Sequence, residues 1–302
     1  VAGCETGTGR LRETFCKNAL VKTGIPGYDY CLNPYTGCAH GCRYCYAETI
    51  SRFRCEATGW GEWVAAKVNF PEVLRRELTR RRRPPGRVLF GTVTDVYQPA
   101  EVKYGLTRAC LQALAELRQE VEVTILTKSA LVCRDMDVLK RLRNRSVGFT
   151  ITLLDEQAAA VFEPGAPPPA ARLQAARSLI GEGIAVWVFI APLLPGVGDA
   201  PSALEGLLTA IKKAGVEEIH MDPLNPYPSA VEHLRALYRD YFPRAVQHLE
   251  DYLHHRHEYL SELGRWLQAL ADQFDYDLQA SWSFIRYALR NSVAKKSPIL
   301  VG

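Results

Sequence analysis

The sequence predicts an α/β fold, a parallel sheet closed or curled as a barrel, followed by a helical appendage. Three observations lead there. Between residues 30 and 222, short apolar or β-branched runs alternate with amphipathic helical patterns, giving six strands. Such alternation implies parallel strands joined by right-handed crossovers. Beyond Pro223 the strand runs stop and only three- and four-residue apolar spacing remains. The first strand also runs straight into a cysteine-dense loop, and barrels carry their chemistry at the C-terminal ends of strands. The expected division is an N-terminal extension over 1–29, a barrel over 30–222 and a helical region over 223–302.

Residues 1–29 carry little apolar periodicity and five glycines, the pattern of an extended segment wrapped on the main body. Tyr30 to Asn33 is short enough for a first strand. A helix is expected over about 43–53, and a second opens with Pro71 at its first position and runs through V-L-R-R-E-L into an arginine run. R-V-L-F-G-T-V from Arg87 reads as a strand. The spacing of Leu106, Ala109, Cys110, Ala113, Leu114 and Leu117 predicts one helix over 104–117. Strands follow over 121–127, 147–153, 185–191 and 218–222, with helices over 135–142, 170–180 and 203–214 between them. Pro164 to Pro169 is a stiff connection. P-L-L-P-G-V-G-D at 192–199 lies at the strand ends, where Gly196 and Gly198 either admit a ligand close to the backbone or simply make the turn. Three helical faces close the chain: Val231, Leu234, Leu237 and Tyr241; Val246, Leu249 and Leu253; Leu260, Leu263, Leu267, Leu270 and Phe274. His254, His255 and His257 lack a carboxylate that would complete a metal motif and read as a solvated polar face.

The loop after the first strand reads N-P-Y-T-G-C-A-H-G-C-R-Y-C-Y-A. Cys38, Cys42 and Cys45 form C-x3-C-x2-C, with Gly37 and Gly41 letting the loop fold back so that three sulfurs gather. A structural zinc site needs four ligands, usually two pairs, and no second C-x2-C pair occurs downstream. Three thiolates on a compact loop suit an iron-sulfur cluster with one iron left open. A zinc knuckle and incidental buried thiols are the alternatives.

With Tyr44 before and Tyr46 after the last cysteine, this loop resembles the signature of the radical S-adenosylmethionine (SAM) enzymes. The resemblance implies a partial (β/α)6 barrel of the TIM type, agreeing with six strands where a complete barrel needs eight. It also implies a [4Fe-4S] cluster on Cys38, Cys42 and Cys45, and SAM chelated to the fourth iron. Reductive cleavage to a 5'-deoxyadenosyl radical then needs a reductant such as flavodoxin or ferredoxin. Together with T-D-V-Y-Q-P-A-E, L-T-K-S and E-P-G-A-P, the loop resembles the spore photoproduct lyase branch and its DNA repair photolyase-like relatives, over about 24–198. That resemblance implies Thr94 and Lys128 near the SAM carboxylate, where a cation and a hydroxyl would hold it. Tyr44, Asp95 and Thr152 are further cofactor-binding candidates, with Tyr46 and Tyr97 as catalytic candidates at a tyrosine-rich mouth. The substrate it implies is a nucleic-acid lesion; a peptide, a modified side chain and a small molecule are alternatives. A non-catalytic iron-sulfur protein that binds nucleic acid is another. One departure stands out: the branch carries a hydrogen-donating cysteine before its T-S-D segment, and F-G-T-V-T-D here has none.

Charge and cysteine usage bound the rest. A net charge of +4 does not by itself argue for nucleic acid, but Arg75, Arg76, Arg80, Arg81, Arg82, Arg83 and Arg87 crowd one stretch. They read as a solvated helix end or as phosphate contacts. Nine cysteines, three of them in the loop, argue against a disulfide framework. Cys4, Cys16 and Cys31 fit no familiar ligand spacing; they are small buried residues or ligands of an additional cluster. Neither a signal peptide nor an 18-residue apolar run is present, so the expectation is a cytoplasmic protein with no membrane contact. The chain begins at Val1 rather than Met, which fits a trimmed or renumbered N-terminus.

Overall fold

The computed structural model describes residues 10–51, 59–117 and 120–276. Its strands are β1 (Arg10–Thr14), β2 (Val21–Lys22), β3 (Tyr30–Leu32), β4 (Tyr35–Thr36), β5 (Trp63–Lys67), β6 (Arg87–Phe90), β7 (Glu122–Thr127), β8 (Asn144–Thr150), β9 (Ala185–Leu193) and β10 (Glu218–Pro223). The helices are α1 (Tyr46–Ser51), α2 (Phe70–Arg80), α3 (Ala100–Tyr104), α4 (Leu106–Ala115), α5 (Met136–Leu139), α6 (Glu156–Phe162), α7 (Pro169–Gly181), α8 (Pro201–Lys213), α9 (Pro228–Tyr241), α10 (Val246–His254) and α11 (Arg256–Phe274).

The six expected strands form one sheet in the order β10-β9-β8-β7-β6-β3, every neighbouring pair parallel, with β2 added antiparallel to β3 at the edge. Strands β2 and β10 are its two edges, so the barrel is partial and open. Because side chains alternate along a strand, the register sorts them into two faces. On one face Val88, Phe90, Val123, Ile125, Val147, Phe149, Val188, Ile190, Ile219 and Met221 are all buried, in one core with residues of α2, α4, α7 and α8. The other face mixes Cys31, Leu89, Thr124, Leu126, Ser146, Trp187, Phe189, His220 and Asp222. Most of these side chains are only partly buried.

Several elements differ from expectation. The helix over 104–117 is broken at Gly105, whose left-handed φ of 59° ends α3 and starts α4. Over 135–142 only the four residues of α5 are α-helical, preceded by a 3-10 turn at Ala130–Asp135. Helix α6 was not foreseen; Asp155 caps it by accepting from the Ala158 amide at 2.7 Å. Nor was a second sheet, β1-β5-β4, in which Arg10–Thr14 of the N-terminal extension pairs parallel with Trp63–Lys67.

Helices α9, α10 and α11 follow the last strand, and Leu234, Leu249, Leu260, Leu267 and Leu270 lie in the same core as the barrel helices. Loop 192–199 serves this packing. A side chain at Gly196 would put Cβ 2.7 Å from the His248 Cβ, the Tyr238 hydroxyl donates to the Pro195 carbonyl at 2.9 Å, and the Tyr259 hydroxyl donates to Asp199 at 2.8 Å. Gly196 therefore makes room for helix α10, while Gly198 packs against Leu194 and Leu153 as part of the turn itself. His254, His255 and His257 are exposed, as a polar face should be. None of the described helices is long and apolar enough to cross a membrane.

The arginine run is exposed along and just beyond α2, which leads into the N-terminal end of β6. Arg81 reaches the first residue of β3, donating to the Tyr30 hydroxyl at 2.7 Å with its guanidinium 4.7 Å from the ring centre. The cysteine loop follows the other end of β3. Arginines and cysteines thus lie at opposite ends of the strands. A cavity of about 420 Å³ lined by Lys22, Thr23, Tyr28, Asp29, Tyr30 and Pro84–Gly86 also opens at the arginine end, away from the cysteines.

Candidate cofactor site

The cysteine loop turns twice on short backbone hydrogen bonds, Gly41 N to Cys38 O at 3.3 Å and Cys45 N to Cys42 O at 3.2 Å. Gly37 has φ of 78° and lies so close to Trp63 that a Cβ there would be 2.5 Å from its carbonyl oxygen, so only glycine fits. Cys38 and Cys42 are buried and Cys45 half-buried; all three are free thiols. Burial, with the Asp95 carboxylate nearby, pushes the Cys38 thiol up to about 12.

Four thiolates on one zinc ion stand about 3.8 Å apart, given a Zn–S distance of about 2.3 Å. Among the described residues no group of three or more His, Cys, Asp or Glu side chains is arranged to hold a single metal ion. Three free thiols within eight residues of one loop, two of them buried, are a donor set that would suit an iron-sulfur cluster, which cysteine thiolates hold.

Two sets of contacts fix the loop. On one side Thr94 donates to the Gly37 carbonyl at 2.5 Å, and Gln98 accepts from the Ala39 amide at 2.9 Å and donates to Thr94 at 2.9 Å. Asp95 accepts from the Thr127 hydroxyl and the Lys128 amide, both at 2.7 Å, and from the Tyr97 amide at 2.8 Å, with His40 of the loop 3.4 Å away. Burial alone would raise the Asp95 pKa; His40 and these hydrogen bonds hold it well below the usual carboxylate range. On the other side α6 and the E-P-G turn brace the loop through Arg43 N to Phe162 O at 2.9 Å and Gly165 N to His40 O at 3.0 Å. A Cβ on Gly165 would run into the Ala39 carbonyl oxygen and lie 3.1 Å from the His40 Cα. Gly165→Ala should therefore cost about 1–3 kcal/mol and lower the iron bound per chain. A variant that melts and loads like wild type would show that the brace yields freely.

Behind the loop lies a buried polar group. Tyr44 donates its hydroxyl to Glu163, and the Thr152 hydroxyl lies 3.2 Å from Tyr44 and 3.3 Å from Glu163. Arg172 pairs with Glu163 at 2.5 Å; both side chains are at most 2% exposed. The Lys128 ammonium stands 5.7 Å from the centre of the Tyr44 ring. Burial would by itself raise the Glu163 pKa, but Arg172, Lys128 and the Tyr44 hydrogen bond bring it below the ordinary value.

The structure thus brings Lys128 and Thr152 to Tyr44, which lies between the second and third cysteines of the loop. It directs Thr94 and Asp95 at the loop backbone and strand ends, where they position the loop rather than face open space. Tyr46 is half-buried, donates to the Thr92 carbonyl and lies 6.2 Å from the Tyr227 ring. Tyr97 does not join the group. It is 1% exposed and its hydroxyl donates to Asp135 at 3.0 Å, inside the core, so it cannot serve an open mouth. Reasoning from sequence missed His40, Gln98, Glu163 and Arg172. The first three lie within or beside segments quoted above, and nothing local marks Arg172. Cys16 and Cys31 are half-buried, and Cys4 lies outside the described residues.

Asp222, at the end of β10, is pushed up to about 7 by burial, with Arg256 only partly opposing. Its folded pKa exceeds the unfolded value of about 3.9, so the fold prefers the neutral acid. The stability that Asp222 contributes should be fully present below about pH 4 and be lost as pH rises through 7, by on the order of 2 kcal/mol after allowing for solvent access. Asp222→Asn should remove that fall, measured by denaturation at pH 4.5 and 8; parallel wild-type and variant profiles would refute the assignment.

Residues 32–208 match the family model of the radical SAM superfamily, and the chain belongs to that superfamily. Its members use a [4Fe-4S] cluster and SAM, and draw on an electron donor. An uncharacterised protein of Methanocaldococcus jannaschii is 35% identical over 186 residues, covering 61% of this chain and 67% of the other. One of Mycobacterium tuberculosis is 33% identical over 244 residues, covering 77% and 68%. Among solved structures, a doubly substituted spore photoproduct lyase with bound AdoMet and dinucleoside spore photoproduct is similar in fold, with a TM-score of 0.60 at 16% identity. The match covers 76% of this chain and 66% of the lyase, so the chain spans about two thirds of the length of these relatives.

Proposed function

We propose that the chain is a radical SAM enzyme that abstracts a hydrogen atom from a substrate held on the open face of its partial barrel. The observation that carries this is the clamped loop of three free thiols beside the Lys128 ammonium, which among the described residues has no ion-pair or hydrogen-bond partner. Cys38, Cys42 and Cys45 would hold a [4Fe-4S] cluster, and Lys128 would take the SAM carboxylate. With both bound and an electron drawn from a flavodoxin or ferredoxin, they would supply the radical chemistry that abstracts hydrogen. Thr94, Gln98 and Asp95 keep the loop at the strand ends. Tyr44 backs it, and Tyr46 with Tyr227 forms an aromatic edge beside it.

The substrate we propose is a nucleic-acid lesion, supported by the likeness in fold to spore photoproduct lyase and by the shared motifs. A peptide or small-molecule substrate is the second reading. It is favoured by the place of the arginine run, at the far end of the strands from the cysteines, and by the absence of a cysteine from F-G-T-V-T-D. The test is anaerobic: protein reconstituted with iron and sulfide receives SAM and a strong reductant, and 5'-deoxyadenosine is quantified with and without ultraviolet-irradiated DNA. Deoxyadenosine that rises with irradiated DNA supports the lesion reading. Formation indifferent to DNA favours the second, and none at all from a reducible cluster overturns both.

A further inference from the structure

We propose that Arg172 is a positioning residue that keeps the Lys128 ammonium available to a carboxylate ligand by engaging Glu163, the buried carboxylate that would otherwise capture it. This rests on the reading of Lys128 above and extends it to two residues buried from solvent.

The arrangement has two cations and one anion. Glu163 and Lys128 attract each other, yet among the described residues no contact joins them within ion-pair distance. Glu163 is drawn the other way. Arg172 meets it at 2.5 Å, and Tyr44 donates to its remaining oxygen. Arg172 is itself pinned, donating through Nε and Nη2 to the Pro167 carbonyl at 2.9 and 2.6 Å and through Nη1 to the Thr150 carbonyl at 3.0 Å. Its fork geometry allows these contacts together, which an ammonium could not copy. Without Arg172, a buried carboxylate would remain with one unpaired cation nearby, and an uncompensated buried charge is costly enough to move a flexible lysine. Lys128 would turn to Glu163 and be lost to the ligand. Without Glu163, Lys128 would have no internal competitor, so both changes together should restore it.

The experiment measures SAM binding rather than turnover, by the change SAM causes in the electron paramagnetic resonance of the reduced, reconstituted cluster, with iron per chain counted in parallel. Arg172→Met should raise the Kd for SAM about tenfold with the iron content retained. Glu163→Gln, which still accepts from Tyr44, should leave Kd unchanged or lower. The double variant should return to within about threefold of wild type. A purely structural role predicts the opposite, since two buried substitutions would do at least as much harm as one. Lys128→Gln separates the two layers of the argument. If it leaves Kd unchanged, the reading of Lys128 fails; if it weakens binding while Arg172→Met does not, or the double variant shows no rescue, the positioning role fails. Should Arg172→Met not fold, Glu163→Gln still decides, because a tenfold loss of SAM affinity there would overturn the proposal.

Discussion

Replacing Cys38, Cys42 or Cys45 singly with alanine should abolish iron loading and reduce deoxyadenosine formation to background, at least about a hundredfold below wild type. The fold should survive. A buried cysteine behaves as a small apolar residue, so its removal costs about 1 kcal/mol, within the range of ordinary core substitutions. The control is Cys110, fully buried in α4 within the main core. Cys110→Ala should lower the melting temperature slightly and leave iron untouched, so that only the loop thiols separate metal from fold. Cys16→Ala with Cys31→Ala should likewise keep about four irons per chain if the loop holds the sole cluster. Iron retained by all three loop variants would refute the ligand assignment; iron lost equally in Cys110→Ala would show that loading reports stability alone.

The barrel strands were legible because each one's apolar run is local. Both the V-L-F of β6 and the E-V-T-I-L-T of β7 announce a strand without reference to anything else. The small sheet was not, because β1 and β5 become strands only by pairing across some fifty residues, and W-V-A-A-K is unremarkable alone. The break at Gly105 shows a different limit: the apolar spacing that predicts the helix begins only at Leu106, and it does not show that Gly105 turns left-handed just before it. At the site, residue type was legible and direction was not. Thr94 and Asp95 at a strand end look ready for a ligand, but the Gly37 carbonyl and the Lys128 amide engage them first. Glu163 illustrates the converse. A glutamate before Pro-Gly reads as turn chemistry, and only the approach of Arg172 and Tyr44 from distant elements makes it part of the site.

Asp95→Ala should be the most destabilising single change at the site, by about 3 kcal/mol or more. The side chain is 8% exposed and accepts three hydrogen bonds. The Thr127 hydroxyl can turn to another acceptor. The Tyr97 and Lys128 amides cannot, and each unsatisfied buried donor costs about 1–3 kcal/mol. Asp95→Asn should fall between, because its carbonyl can satisfy one amide while its NH2 is set against another donor. Asp137 provides the contrast: it makes two hydrogen bonds to Arg108 at 2.8 and 2.6 Å but is 63% exposed, so Asp137→Ala should barely move the denaturation midpoint. Denaturation of the metal-free proteins tests the order Ala, Asn, wild type. Because Asp95 ties the end of β7 to the strand-end turn after β6, and His40 ties that turn to the cysteine loop, iron uptake should fall in the same order. A protein with Asp95→Ala that is destabilised yet loads iron fully would mean that the E-P-G brace and the Thr94–Gly37 bond suffice to position the thiols, moving the weight of the site to α6 and its turn.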